Sequence, residues 1–404
     1  MLSYAEALAR ILEAAGSLPA ESLPFEKAVG RVPCVDVLAP EDVPSFDNSA
    51  VDGFAVRGSD VAGASPDSPV LLPVSMEIPA GACPDRPLPG GSAARIMTGA
   101  MVPEGADHIV MVEDTRAEEG GGVVLLDPGS PSFVRNAGSD IRRGSVALVA
   151  GVPIGPAGVG LLASLGVLEV ACVRRPRVGL LSTGDELVEP LARSLPPGKI
   201  RNSNTAALAA AIHEAGAVVA ARRHARDDAA EVEAAFDVLL DSGCDLILSS
   251  GGVSVGAYDV VRSVVERRGR LDFWRIAVKP GKPLAFGTLG TVPFLGLPGN
   301  PVSSLVTFEL FVRPLLRRLG GRTDVFRPEF PVRSATAIAH DADRREWVRV
   351  TLELRDGEAW ATPTGGQGSH RASGMAAADA LMVVPEGRGS VVVGELLSAI
   401  RLRD

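Results

Sequence analysis

Cysteine is scarce in this chain. Cys34, Cys83, Cys172 and Cys244 are the only four in 404 residues, and their wide spacing fits no metal site. They read as reduced core residues of a cytoplasmic protein. Histidine is equally thin: His108, His213, His224, His340 and His370 are scattered, which supports neither a zinc site nor a His-based triad. They read as structural or exposed residues without a catalytic role. No apolar run is long enough to span a bilayer. The opening MLSYAEALARILEAAG reads as an amphipathic helix with Glu6 and Glu13, and it lacks the basic start of a signal peptide. Positive charge is not in excess either. A net charge of −9 argues against a general nucleic-acid or anionic-membrane surface. Neither GxGxxG nor GxxxxGK[ST] occurs, so the dinucleotide and P-loop signatures are both missing. Finally, only four of the 40 basic residues are lysines, and two of them fall together in Lys279-Pro-Gly-Lys282-Pro. In a chain that otherwise uses arginine, this pair suggests a need for compact point charges.

What is present is a long ordered chain with 46% hydrophobic residues, enough for several cores and two to four domains. Residues 1–45 hold the opening helix and a short β-like stretch. From 46 to 144 the pattern is short strands broken by Gly and Pro, a β-rich unit. Residues 145–173 resemble neither neighbour and are expected to return to the N-terminal segment, which makes the β-rich unit an insertion. From 174 to 323 strands and helices alternate: strands at 178–182, 217–224, 245–249 and 292–297, helices at 204–215, 229–240, 260–268 and 302–319. A hairpin-like pair at 271–278 and 283–287 interrupts them. This alternation predicts a doubly wound parallel α/β sheet. Residues 324–404 lose the alternation and predict a small C-terminal β-barrel or sandwich. The fold class is therefore α/β and β multidomain, with an N-terminal linker domain made discontinuously from 1–45 and 145–173.

Ligands of doubly wound sheets bind outside the carboxyl ends of the strands. Those ends carry Ser182-Thr-Gly-Asp-Glu186, Arg226-Asp-Asp228, Ser249-Ser-Gly-Gly-Val-Ser254 and Leu297-Pro-Gly-Asn-Pro301. The stretch SSGGVSVGAYD at 249–259 lies between an apolar strand and a helical pattern, an arrangement suited to an anion. Asp185, Glu186, Asp228 and Asp259 offer hard oxygen ligands suited to Mg²⁺. Taken singly, Asp228, Asp259 and Asn300 read as helix caps. Taken together, the strand ends describe a Mg²⁺-dependent pocket for a phosphorylated ligand.

The motifs FDNSAVDGFA (46–55), RIMTGA (95–100), GSDI (138–141), STGDEL (182–187), NSN (202–204), GGVSVGAYD (251–259), VKPGKPLAFG (278–287) and GLPGNPVSS (296–304) occur in one order. In that order the chain resembles the molybdopterin molybdenumtransferase family, to which the gephyrin E domain belongs. Val51, Phe54 and Ser139 depart from the family pattern, but no charged or ligand-type group is lost at the first two and Asp140 is kept beside the third. The resemblance implies a cytoplasmic homodimer that inserts molybdate into adenylylated molybdopterin, releasing molybdenum cofactor and AMP with a divalent cation. It implies a site shared between subunits, with Asp52, Thr98 and Asp140 from one and Glu186, Asp228 and Asp259 from the other. Lys279 and Lys282 would hold the anion. Ser182, Thr183, Gly184, Gly251, Gly252, Ser254, Gly256, Pro283, Pro298, Asn300 and Pro301 would line the pterin pocket, with Arg349 and Ser369 on the molybdate side. Glu186, Asp228 and Asp259 would be the Mg²⁺ ligands. The upstream molybdopterin adenylyltransferase and acceptor molybdoenzymes are the implied protein partners. An adenylyltransferase activity and a non-catalytic molybdopterin-binding scaffold stand as alternative readings.

Overall fold

A computed structural model of the chain describes residues 1–16, 18–252 and 260–403. Its centre is a six-stranded sheet. In spatial order its strands are Val218–Ala225, Arg177–Thr183, Leu246–Ser250, Val292–Leu297, Pro283–Leu289 and Gly269–Arg275. The first four run parallel, and each of the last two pairs antiparallel with the strand before it. The expected hairpin thus forms one edge of a mixed sheet, while the three inner parallel strands are mostly buried and the outer parallel strand, Val218–Ala225, leaves Arg222, Arg223 and His224 exposed. Successive side chains alternate between two cores. Leu180, Leu246 and Leu248 enter one, Leu181 and Ile247 the other.

The long C-terminal helix of this unit is not uniform. Pro301–Thr307 and Arg313–Leu319 are α-helical, and Phe308–Val312 between them is a π-turn. The extra residue lets Phe308, Leu310, Phe311 and Val312 all be buried while Glu309 meets Arg327 at 2.7 Å. Arg313 lies 3.8 Å from Glu309, and Glu214 bridges Arg313 and Arg327 at 3.0 and 2.7 Å.

The opening helix, Tyr4–Glu13, starts at a capping box in which Ser3 and Glu6 satisfy each other's backbone amides. Its Ala7, Leu8 and Ile11 enter the core of the α/β unit, and Tyr4 stacks edge-on against Phe311 and Trp347. The sequence grouped this helix with 145–173. The structure instead uses its apolar stripe to join the α/β unit to the C-terminal barrel. The strands that follow do meet the later segment: Ala20–Pro24 pairs with Glu169–Val173, and Val37–Leu38 with Val146–Leu148.

Between these segments lies a second six-stranded sheet, including Gly53–Val56, Val70–Ile78, Ala93–Ile96 and His108–Met111. At the other end, Arg345–Arg355 pairs with both Glu358–Pro363 and Ala380–Val384, which closes the C-terminal strands into a barrel. No described helix is long and apolar enough to cross a membrane.

Replacing Glu309 by Ala would strand the buried guanidiniums of Arg313 and Arg327 beside each other. We expect a loss of about 3–5 kcal/mol, read as an earlier denaturant transition of the α/β unit. A change under about 1 kcal/mol would mean that Glu214 alone neutralises the pair.

Candidate active site

At the carboxyl edge of the parallel strands a cleft of about 590 Å³ opens. It is built from the strand ends. The strand Arg177–Thr183 delivers Thr183, Gly184 and Glu186, and Leu246–Ser250 delivers Ser250, Gly251 and Gly252. The turn after Val292–Leu297 adds Pro298, Gly299, Asn300 and Pro301. Pro283 closes one side and His370, from the barrel, another.

Two glycines are sterically required. Gly251 has φ +92° and a Cβ there would lie 2.9 Å from the Thr183 carbonyl oxygen. Gly252 has φ +66° and its Cβ would lie 2.3 Å from Val261 Cγ2. The turn therefore packs closely on the end of the neighbouring strand and on Val261 of the following helix, with no room for a side chain. Thr183 Oγ1 is buried without a partner among the described residues.

The floor is tied together by two asparagines. Asn202 caps the helix Ser203–Glu214, accepting from the Thr205 amide and donating to Ser182 Oγ at 2.8 Å. Asn204 donates to Ser250 Oγ at 2.8 Å and to the Gly299 carbonyl at 2.7 Å, joining two strand ends to the helix start. The NSN motif holds both, although neither asparagine was picked as a site residue.

The sequence-selected residues divide as follows. Thr183, Gly184, Glu186, Gly251, Gly252, Pro283, Pro298, Asn300 and Pro301 all line the cleft. Asn300 sits at a helix start, but its side chain makes no capping bond. Ser182 is buried behind the cleft, between Asn202 and His224. Asp228 is not on the cleft wall. Its Oδ1 accepts from the amides of Ala230 and Glu231, both at 3.0 Å, and so caps the helix Ala229–Asp241. Its neighbour Asp227 is the one that faces the cleft. Partial burial, followed by the charges of Asp185 and Glu186, raises the Asp227 carboxyl above its ordinary value. The spacing Asp228-x-x-Glu231 is a helix-start pattern and could have separated these two aspartates. Ser254, Gly256 and Asp259 lie outside the described residues. Among the described residues no group of three His, Cys, Asp or Glu side chains is arranged as a ready metal cage.

Arg349 is buried at 1% exposure. Its guanidinium donates to Gln367 Oε1 and to the carbonyls of Gly366 and Gly368, at 3.2–3.3 Å. Burial, then Arg371, lowers its pKa. It thus clamps the loop that brings His370 to the cleft, next to Ser369, which does not line it and whose carbonyl accepts from the Val302 amide at 3.1 Å. Lys282 is exposed. Lys279 pairs with Glu346 of the barrel.

Asp52 and Thr98 meet each other rather than the cleft. The Thr98 amide and hydroxyl donate to Asp52 Oδ1 at 2.6 and 2.7 Å, holding the carboxyl below its ordinary range. Both are exposed, as is Asp140. None of the three lines the cleft of its own chain.

An α/β unit, a β-rich insertion and a closed C-terminal barrel define a multidomain protein with a cleft at the carboxyl edge of the parallel strands, to which the barrel contributes His370 and which neither Lys279 nor Lys282 lines. Three family descriptions tile the chain: MoeA N-terminal region (domain I and II) over residues 2–166, probable molybdopterin binding domain over 179–318, and MoeA C-terminal region (domain IV) over 331–402. The chain is 38% identical to a molybdopterin molybdenumtransferase of Haemophilus influenzae, covering 98% of each. It is 40% identical to molybdopterin molybdenumtransferase 2 of Mycobacterium tuberculosis, covering 93% of each. The crystal structure of a molybdopterin biosynthesis MoeA protein from Pyrococcus horikoshii matches over 100% of both chains, with a TM-score of 0.85 at 33% identity. This chain belongs to the MoeA family of molybdopterin molybdenumtransferases.

Two outcomes test this geometry. Gly252→Ala should abolish ligand binding at the cleft while the barrel and insertion stay folded; unimpaired binding would show that the turn can move off Val261. Asp227→Asn should raise the unfolding temperature at pH 7. A carboxyl with a raised folded pKa opposes folding once both states are ionised, and the opposition vanishes below its unfolded pKa. The gain should therefore shrink as pH falls through the aspartate range, and a pH-independent gain would contradict the cost of ionising a partly buried carboxyl beside Asp185 and Glu186.

Proposed function

We propose that this chain inserts molybdate into adenylylated molybdopterin, giving molybdenum cofactor and AMP, with Mg²⁺, in a homodimer whose sites are shared. The observation that carries the reading is the cleft itself, where backbone turns, hydroxyls and the acidic pair Glu186 and Asp227 converge at four strand ends. The names of the relatives supply the substrate class.

The residues fit a divalent cation in donor chemistry. Glu186 and Asp227 are hard oxygen donors at the cleft, and partial burial, then the charges of Asp185 and Glu186, raise the Asp227 carboxyl. Asp228, spent on a helix cap, is a weaker choice than the sequence suggested. A cation bound there would polarise a phosphoanhydride for cleavage. The chain's own residues would do the rest. The turns at 183–184, 251–252 and 298–301 bring backbone against the pterin and its phosphates. Lys279 and Lys282 would hold a tetrahedral dianion by charge-assisted hydrogen bonds.

Sharing between subunits is supported by two features. Asp52 and Thr98 form a preset, exposed pair away from their own cleft. The linker segment also leaves a cluster of apolar side chains uncovered: Leu38 and its register partner Val146, with Val35, Val149 and Val152 nearby in the chain, are 46–60% exposed. An apolar patch of this kind fits burial against a second copy.

AMP should be released from adenylylated molybdopterin only when molybdate and Mg²⁺ are both present, and the product should activate an apo-molybdoenzyme. Binding without release would favour a scaffold, and ATP consumption with pyrophosphate release an adenylyltransferase. Lys279→Ala should raise the molybdate needed for half-maximal rate. An equal mixture of Asp52→Ala and Glu186→Ala subunits should regain roughly a quarter of wild-type activity, since half the dimers would hold one intact site. No recovery on mixing would place both residues in one subunit's site.

A further inference from the structure

Lys279 and Lys282 are three residues apart, yet the fold treats them differently. Lys282 is exposed, and no carboxylate among the described residues lies within ion-pair distance of it. Lys279 sits on the short strand Val278–Lys279, which leaves the α/β sheet and adds to the barrel strand Arg345–Arg355. There it is the direct register partner of Glu346. Its Nζ lies 3.1 Å from Glu346 Oε1 and 3.2 Å from Oε2.

Glu346 is 5% exposed at its side chain, so its charge must be met inside the protein. It has two partners. Deeper in, His340 Nδ1 lies 2.9 Å from Glu346 Oε2, on a ring with no exposure at all. Nearer the surface is Lys279, whose side chain is 38% exposed. The three groups form one line from the barrel interior to the loop that carries both lysines. A lysine ammonium at the end of a flexible four-carbon stem samples many positions unless an acceptor holds it. Here the acceptor is fixed by a barrel strand and by a buried imidazole.

We propose that Glu346, backed by His340, is the positioning residue for Lys279, so that the C-terminal barrel sets where the ammonium meets a bound oxyanion. The inference rests on reading Lys279 as an oxyanion-holding residue. Glu346 touches no substrate in this role. It acts by restricting one ammonium, and with Nζ set against both Glu346 oxygens at least one of that ammonium's three donors stays free for the anion.

The test is a double-mutant cycle read as the molybdate concentration for half-maximal AMP release and as the saturated rate. Glu346→Gln is expected to raise the half-saturating molybdate about tenfold, a coupled-pair effect, and to change the saturated rate less. Added to Lys279→Ala, it should have no further effect. Glu346→Asp, with the charge kept but withdrawn by one methylene, should give an intermediate shift with the unfolding temperature unchanged. His340→Leu should follow Glu346→Gln, and His340→Asn, which keeps a donor, should partly recover. Should Glu346→Gln leave the molybdate dependence alone, or act in full on top of Lys279→Ala, the inference is overturned while the anion reading survives. Should Lys279→Ala itself leave that dependence unchanged, the anion reading falls and the inference with it.

Discussion

The helical run Pro301–Leu319 is buried along nearly its whole length, and the rest of the molecule is placed by that burial. It is covered by the sheet on one side and by the opening helix and the barrel on others, in a single core that contains Val302, Phe311, Leu315, Ile11 and Trp347 together. Hydrophobic burial of this extent, at about 25 cal/mol per Å², leaves no freedom for the three parts to drift. Consequences at the site follow directly. The start of the helix sets Asn300 and Pro301 in the cleft, and its Val302 amide holds the barrel loop at Ser369. A Cβ at Gly281 would lie 2.4 Å from Thr307 Cγ2, so the lysine loop must lie flat on the same helix.

The cleft shows how competing demands on neighbouring residues are divided. Asp227 and Asp228 are chemically identical and adjacent, yet one satisfies two amides at a helix start and the other faces Glu186 across open space. The lysines of the 279–282 turn divide in the same way, one tethered to the barrel and one exposed. Arg349, expected on the molybdate side, is a buried clamp on a glycine-rich loop. In each case the residue type was informative and its partner was not, because the partner comes from a distant part of the chain.

Local pattern alone was enough for the alternating α/β unit, its helix starts, the β-rich insertion and the terminal barrel, because apolar period and turn residues act over a few neighbours. It was also enough for the strand-end turns, since glycine and proline at those positions are needed whatever surrounds them. Tertiary structure alone decided that the opening helix joins the α/β core, that the lysine turn lends a strand to the barrel, and that Asp227 rather than Asp228 looks into the cleft. Those outcomes depend on contacts between residues far apart in sequence, such as Lys279 with Glu346 and Tyr4 with Phe311 and Trp347. A linear pattern holds the chemistry of each group but not the distance between them, and distance is what determines pairing, burial and charge.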